Sequence, residues 1–364
     1  MANTSSNSNL HKANKAKKDE FYTQLVDIEK ELKHYKEQFR GKVVYCNCDD
    51  PFESNFFKYF ASNFNALGLK KLIATSYKPS PIANTQLGLF GDDKTLSTLK
   101  GRPKATANKF IINEVDDLDG DGAFDLRDIA EQLKANKNNE WSPLEGDGDF
   151  RSKESIELLK EANIIITNPP FSLFREYMTQ LVEYNKKFLI IGNTNAITYK
   201  EIFKLIKDDK LRTGYTNFNV GMFFVVPDDW EQYHHVNENG NKIARVSTSC
   251  WFTNLEVEKH KQDITLYKKY TTKEYPSYDN YEAIEVSKVQ DIPTDFNGVM
   301  GVPITFIDKY NPNQFQILGM SASAGYDAEI VGIPKLEGFK DARPLIKSKN
   351  TYARILIKNK KPQR

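Results

Sequence analysis

The sequence predicts an α/β fold: a doubly wound, mainly parallel sheet followed by a smaller C-terminal module. Three observations predict it. Short β-branched runs alternate with stretches of helical periodicity up to about residue 264. One run, Ile164–Ile166, ends abruptly in a polar loop, as buried parallel strands do. From about residue 265 the alternation stops, and short strand-like pieces are separated by Gly, Pro and Asn turns.

Residues 1–18 are polar and then lysine-rich, the composition of a disordered N-terminus. Over 19–40, Phe21, Leu25, Ile28, Leu32 and Tyr35 recur at helical steps, and Gly41 closes the helix. Val43–Cys46 reads as a strand, followed by a helix carrying Phe56, Phe57, Tyr59, Phe60 and Phe64. Leu72–Thr75 is the next strand. Residues 78–108 lack periodicity and read as a long surface loop. Phe110–Val115 is strand-like, and Asp128–Lys134 starts a helix. Ser155–Glu161 is a helix leading into the Ile164 strand. Leu173–Tyr184 is a helix, Phe188–Ile191 a strand and Tyr199–Ile206 a helix. Val220–Val226 and Ser247–Phe252 read as a final antiparallel pair. In the later module, Val302–Ile307 and Gln316–Leu318 are strand-like. The domains predicted are a disordered 1–18, a large α/β domain over 19–264 and a smaller C-terminal module over 265–364.

Composition narrows the function classes. At 364 residues and 39% hydrophobic, the chain can bury a sizeable core. The net charge is only +2, so global charge does not announce a nucleic-acid partner. Its distribution is uneven. After Pro334 come Lys335, Lys340, Arg343, Lys347, Lys349, Arg354, Lys358, Lys360, Lys361 and Arg364, against Glu337 and Asp341 alone. Such a run can contact phosphate or can be a solvated tail. Three cysteines, Cys46, Cys48 and Cys250, form neither a disulfide framework nor a zinc pattern. Cys46 and Cys48 flank Asn47 on a strand and are expected to share one face. No apolar run is long enough to span a membrane, and the polar N-terminus lacks a signal-peptide core. A cytoplasmic protein with no membrane partner is expected.

The most informative stretch is Asn163-Ile-Ile-Ile-Thr-Asn-Pro-Pro-Phe171. Ligands in open α/β sheets sit beyond the carboxyl ends of such strands. Neither Pro169 nor Pro170 has a backbone N–H, and Pro170 forces Pro169 into an extended conformation. The loop is therefore stiff and offers carbonyl acceptors, the Asn168 amide and the Phe171 ring, the groups needed by a flat amino-bearing heterocycle. Asn-Pro and Pro-Pro are also ordinary turn signals.

Asn168-Pro169-Pro170-Phe171 resembles the catalytic motif of S-adenosylmethionine-dependent amino-methyltransferases. Cys48-Asp49-Asp50-Pro51-Phe52-Glu53-Ser54-Asn55-Phe56 resembles a degenerate form of their cofactor loop, with Ser54 and Asn55 replacing glycines. A helix N-cap at Asp50 or Ser54 explains that segment equally well. Lys18–Thr23 resembles the segment that closes over the methionine part of the cofactor, and Gly146–Phe150 the segment that holds its adenine. Together with Gly298–Gln316, these stretches resemble the EcoRI-type adenine-specific DNA methyltransferase family over nearly the whole chain. The resemblance implies a Rossmann-like class I methyltransferase, with S-adenosyl-L-methionine as cofactor and double-stranded DNA as partner. It implies transfer of a methyl group to the exocyclic amine of a flipped-out adenine, as the modification enzyme of a restriction-modification system. By the same resemblance Asn168, Pro169, Pro170 and Phe171 are catalytic. Phe21, Tyr22, Thr23, Asn47, Asp49, Asp50, Pro51, Asp149 and Phe150 hold the cofactor. No metal and no cysteine nucleophile is required. A second aromatic wall for the base is sought among Phe218, Phe223 and Phe224, although core packing accounts for at least two of them. The second strand ends in Ala74-Thr75-Ser76-Tyr77 with no acid, so the ribose partner is unassigned.

Two rival readings stand beside this one. Asp117-Leu118-Asp119-Gly120-Asp121-Gly122, continuing to Asp125 and Asp128, is close to a calcium-loop pattern and would suit a non-enzymatic calcium-binding interaction protein. That reading leaves Asn168–Phe171 unexplained. The other rival is an amino-methyltransferase acting on RNA adenine or on a protein glutamine amide, each of which presents a planar amino group.

Overall fold

The computed structural model describes residues 22–48, 54–77, 107–116, 138–226, 230–321, 327–340 and 342–363. Two compact units divide the chain, Met1–Thr194 with Gly214–Leu255, and Asn195–Thr213 with Glu256–Arg364. The second unit therefore takes in a short insertion ahead of the boundary expected at 265. Within the expected N-terminus, the 78–108 loop and the Asp117–Asp128 stretch, only Ala107 and Asn108 belong to the described residues, and the helix predicted over Asp128–Lys134 lies outside them.

The first unit opens with β1 (Tyr22–Thr23), α1 (Leu25–Leu32) and α2 (Lys36–Phe39). A single helix was the expectation for 19–40, and the structure corrects it. Tyr22 and Thr23 pair with a strand two hundred residues later in the sequence, and that long-range ladder overrides the local periodicity. The helical stretch also breaks at Tyr35, whose hydroxyl turns back to donate to Glu31 Oε1 at 2.6 Å. Gly41 ends the region at φ 69°, a conformation that favours glycine.

The chain continues through β2 (Val43–Cys46), α3 (Asn55–Ser62), α4 (Phe64–Leu67), β3 (Lys71–Thr75), β4 (Asn108–Ile112) and β5 (Glu140–Pro143). Next come α5 (Lys153–Glu161), β6 (Ile164–Thr167), α6 (Phe174–Glu183) and β7 (Lys187–Asn193). It enters the second unit for α7 (Lys200–Lys207) and β8 (Arg212–Thr213). It returns for β9 (Met222–Val225), β10 (His235–Val236), β11 (Lys242–Val246) and β12 (Ser249–Thr253). Ser54 caps α3 by accepting from the Phe57 N–H at 3.3 Å, and Ser152 caps α5 in the same way from Ser155 at 3.2 Å. Phe56, Phe57 and Phe60 fill the interface beneath α3.

The main sheet of this unit runs β5-β4-β3-β2-β6-β7-β12. β3, β2, β6 and β7 are mutually parallel, while β4, β5 and β12 join antiparallel at the flanks. The fold is thus mixed α/β, with parallel pairing confined to the centre. β2 and β6 are buried along their whole length, which is why they read as continuous apolar runs. A separate antiparallel sheet has the order β1-β9-β11-β10. The final pair expected from 220–226 and 247–252 does not form. β9 pairs with β1 and β11, and β12 with β7. β12 is buried on both faces and suits the central sheet, whereas β9 exposes alternate residues. The expected shared face of Cys46 and Cys48 is also corrected: β2 ends at Cys46, and Cys48 has φ 78°.

The second unit carries β13 (Ala283–Glu285), β14 (Val299–Val302), β15 (Phe315–Ser321) and α8 (Ala328–Val331). A hairpin of β16 (Leu345–Ile346) and β17 (Lys349–Asn350) precedes β18 (Arg354–Asn359). Its sheet has the order β13-β14-β18-β15. Gln316–Leu318 lies in β15 as expected. The strand predicted over Val302–Ile307 is instead the end of β14 followed by a 3-10 turn, Ile304–Lys309, because Pro303 supplies no N–H to a ladder. Tyr278, Tyr281, Ala283, Val331 and Leu356 form a core cluster. Arg354 forks onto the buried Glu285 carboxylate at 2.6 Å, and the Tyr278 hydroxyl donates to the same group at 2.5 Å. Lys200 pairs with Asp327 and Glu329, tying α7 to the start of α8. Among the described residues, no helix is long and apolar enough to cross a membrane.

Candidate active site

The carboxyl end of β6 is anchored before it turns. The Thr167 hydroxyl donates to the Asn47 carbonyl, which fixes the exit of β6 against the exit of its neighbour β2. Asn168 follows directly and is 6% exposed. Pro169 is buried and Pro170 half-buried. Pro170 has φ −53° and ψ 127°, and its carbonyl accepts from Leu173 at 2.9 Å, closing the 3-10 turn Phe171–Leu173 that leads into α6. The stiffness expected of the proline pair is therefore reinforced from both sides.

Phe171 meets Phe224 of β9 edge-on, with ring centroids 6.5 Å apart and planes at 85°. Thr23 pairs with Phe224 and Tyr22 with Val225, so β1 reaches the same place. The Thr23 carbonyl accepts from Asn55 Nδ2 at 2.7 Å, which brings the first turn of α3 to it. Of the three candidate wall aromatics, only Phe224 is buried against the loop. Phe223 points to the other face and lies beside His234 at 5.3 Å, and Phe218 is half-buried.

A second cluster gathers at the exits of β2 and β3. The Asn47 side-chain oxygen accepts from the Tyr177 hydroxyl, so its amide is turned toward α6. Tyr177 is fully buried and meets Phe150 edge-on at 5.0 Å. The Phe150 carbonyl accepts from Gln180 Nε2 at 3.1 Å. Gly148, at φ 77°, lets the Gly146–Phe150 turn press on the end of β3: a Cβ there would lie 1.9 Å from the Ser76 carbonyl oxygen. Asp149 accepts from Arg151 Nη2 at 2.6 Å and from the Arg151 backbone N–H at 2.8 Å. Burial opposes ionisation of this carboxyl, but the Arg151 bonds outweigh it and hold the group below the usual aspartate range. The Arg151 guanidinium lies 5.1 Å from the centre of the Phe150 ring.

Thus Tyr22, Thr23, Asn47, Asp149, Phe150 and the Asn168–Phe171 loop are all placed within the first unit. Asn47 is linked to Thr167, Tyr177 to Phe150, and Phe171 through Phe224 to Thr23. Phe21, Asp49, Asp50 and Pro51 lie outside the described residues. No group of His, Cys, Asp and Glu that could hold a metal occurs among the described residues.

Two acids escaped the sequence reading. Glu31 is wholly buried and accepts four bonds: from the Tyr35 hydroxyl at 2.6 Å, the Tyr215 N–H at 2.5 Å, the Thr216 N–H at 2.7 Å and the Thr216 hydroxyl at 2.6 Å. Asp27, one turn earlier, faces the Asn217 amide at 3.5 Å. Burial raises both carboxyls above their ordinary range, with the hydrogen bonds opposing. They grip the loop 214–217, which leads into β9 and its Phe224. The signal was present: Asp27 and Glu31 stand at an i, i+4 spacing beside Ile28 and Leu32, on the apolar rather than the polar face.

A stiff proline loop at the carboxyl end of a parallel strand, with Phe171 edge-on to Phe224, is compatible with the amino-methyltransferase class. Comparison with known proteins agrees. The family described as "Adenine-specific methyltransferase EcoRI" matches residues 9–360. The chain is 46% identical to Type II methyltransferase M.EcoRI of Escherichia coli, over the full length of both. It is 36% identical to Type II methyltransferase M.MpnI of Mycoplasma pneumoniae, covering 96% of this chain and 98% of that one. It is 35% identical to Type II methyltransferase M.MgeORF184P of Mycoplasma genitalium, with the same coverage. No solved structure matches significantly. The chain belongs to the EcoRI-type family of adenine-specific DNA methyltransferases.

Proposed function

We propose that this enzyme is the site-specific modification methyltransferase of a restriction-modification system, transferring a methyl group from S-adenosyl-L-methionine to N6 of a flipped-out adenine in double-stranded DNA. The first unit is the catalytic part, its parallel centre wound in the Rossmann-like manner, and the second unit carries target recognition. The observation that carries this reading is the Asn168–Phe171 loop: a nearly buried amide and a proline carbonyl at the end of β6, with an aromatic ring beside them.

The residues present suit the cofactor. The Gly146–Phe150 turn presses on the exit of β3, and open α/β sheets bind nucleosides beyond such strand ends, which supports Asp149 and Phe150 as the pair that holds the cofactor adenine. Asp149 gives two oxygens to Arg151 yet keeps lone pairs for an adenine amine. Tyr22 and Thr23 of β1, next to Asn55, belong to the cofactor's other end. Asn47 contributes through the strand exit that it fixes, since its amide is committed to Tyr177. When bound, S-adenosyl-L-methionine supplies a methyl group on a positively charged sulfur.

The chain's own part is to make a poor nucleophile competent. The lone pair of an aromatic amine is delocalised into the ring. The Asn168 side-chain oxygen and the Pro169 carbonyl accept one N–H each, which draws the nitrogen toward tetrahedral geometry and localises the lone pair. The same dipoles stabilise the positive charge that develops on nitrogen. Phe171 stacks on the base, and Phe224 holds Phe171 from its edge. The proline pair keeps the acceptors aimed before the substrate arrives, a positioning contribution.

The test is transfer of label from tritiated S-adenosyl-L-methionine to unmethylated duplex DNA, with RNA and glutamine-bearing protein as parallel acceptors. Label in duplex DNA is expected. Label in RNA or protein alone would reassign the substrate.

A further inference from the structure

The turn between β16 and β17 is built from Lys347 at φ 52° and Ser348 at φ 60°, both left-handed. Two-residue hairpins of this kind take Asn-Gly or Asp-Gly, because other side chains are strained there. The surrounding fold forces the conformation. Asp279 accepts from the Ser348 N–H at 2.7 Å, and the Asn280 side chain accepts from Leu345 at 2.9 Å and donates to the Arg343 carbonyl at 2.8 Å. Tyr281 donates to the Ala342 carbonyl at 2.7 Å, and Ile346 packs on the core cluster. The hairpin is rigidly mounted, and no bond to the Lys347 side chain among the described residues explains a lysine at its tip.

What the tip presents is cationic. From Ala342 to Arg354 the chain holds Arg343, Lys347, Lys349 and Arg354 and no acid. Arg354 is spent on Glu285, whereas Lys347, Ser348 and Lys349 are exposed. Tyr352, at the foot of the ribbon, is 82% exposed, with the Arg354 guanidinium 5.9 Å from its ring. The terminal lysines differ. Lys360 donates to the Pro312 carbonyl at 2.6 Å, and Lys361 pairs with Asp263 at 3.1 Å. Among the described residues, the acid bonded to the turn is Asp279, and it binds the turn's backbone.

We propose that the Lys347–Lys349 hairpin tip is a DNA-contacting element of the second unit, with Lys347 and Lys349 each neutralising a backbone phosphate. This rests on the reading of duplex DNA as substrate. A two-stranded ribbon is narrow enough to follow a groove, and lysine binds phosphate as a compact charge. A rigid mount spares the ordering entropy that a flexible lysine tail would lose on binding.

The test replaces the tip with its favoured turn, Lys347→Asn with Ser348→Gly, and separately makes Lys349→Gln, which touches no left-handed residue. Duplex affinity is measured by fluorescence anisotropy against salt, with S-adenosyl-L-methionine affinity by calorimetry and the melting temperature alongside. Combining both changes should weaken duplex binding roughly tenfold and lower the slope of log affinity against log salt by about 1.8, about 0.9 for each lost phosphate contact. Cofactor affinity should hold, and the melting temperature should hold or rise as strain is relieved. Unchanged duplex affinity and slope, with wild type binding DNA normally, would overturn the hairpin assignment alone. A wild-type protein that neither binds nor methylates duplex DNA would overturn the substrate reading, and the hairpin assignment with it.

Discussion

Asn168 stands at the end of a strand that has no exposed residue, whereas Lys347, Ser348 and Lys349 stand exposed at the tip of a two-stranded ribbon. Both turns are stiff, and both are held by groups from elsewhere in their own unit: the Asn47 carbonyl and the Phe224 ring in one case, the Asp279 and Asn280 side chains in the other. They differ in what stiffness is for. On the proposed mechanism, the buried loop uses it to aim neutral dipoles in a dry setting, where each is worth most. In the exposed hairpin it holds full charges in water, where a single contact is worth little and only the sum, read through salt dependence, is measurable. Chemistry and affinity should therefore separate under mutation.

The largest effect is expected at Asn168. Asn168→Ala should lower turnover roughly a hundredfold or more, as loss of an oxyanion-type contact does. Calorimetry should find cofactor affinity unchanged. Near-normal turnover in this variant would remove Asn168 from the mechanism.

Glu31 holds the loop that leads into β9, one step further out. Glu31→Ala strands two buried backbone N–H groups and should destabilise the protein by about 3 kcal/mol or more in chemical denaturation. Glu31→Gln should cost less and separate charge from hydrogen bonding. Because burial raises the folded-state carboxyl, its stability contribution is complete below the unfolded value and is lost as pH rises through the folded one. Wild type should lose stability over that rise, and the Gln variant should not. Identical profiles would mean that Glu31 does not titrate there.

Gly148→Ala should act more narrowly. Its Cβ would meet the Ser76 carbonyl at 1.9 Å in a left-handed backbone, so the Asp149–Phe150 turn must move. A loss of roughly 1–3 kcal/mol is expected, read mainly as weaker cofactor binding. If cofactor affinity were intact, the turn would not be part of that site. The smallest effect is expected where a sequence reading would place a large one. Lys360→Gln with Lys361→Gln should change duplex affinity less than about twofold, since both lysines are already engaged with Pro312 and Asp263 and surface charges of this kind contribute little. A loss equal to that of the hairpin variant would erase the distinction between tip and tail.

The buried loop was legible because its signals are local: an isoleucine run, then residues whose φ is fixed by their own rings. The Gly146–Phe150 turn was picked out through resemblance rather than spacing. What could not be read depended on partners far along the chain. Tyr22–Thr23 is a strand only because β9 pairs with it, and its neighbours carry helical periodicity. Glu31 looked like one more charge on an amphipathic helix, because the N–H groups that occupy it come from 215 and 216. The hairpin tip was hidden because Lys-Ser is not a turn signal; Asp279 and Asn280 impose the turn from outside. Basic residues after Pro334 read as one run, yet the fold sorts them into engaged and exposed sets.

The central claim is that the Asn168 loop prepares an adenine amine, and nucleoside analysis of the product tests it most directly. Duplex DNA methylated with labelled S-adenosyl-L-methionine is digested to nucleosides and separated. The label is expected to co-migrate with N6-methyldeoxyadenosine, and Asn168→Ala should deplete that peak alone. Label recovered at the C5 position of cytosine, or undiminished in the Asn168 variant, would contradict the account.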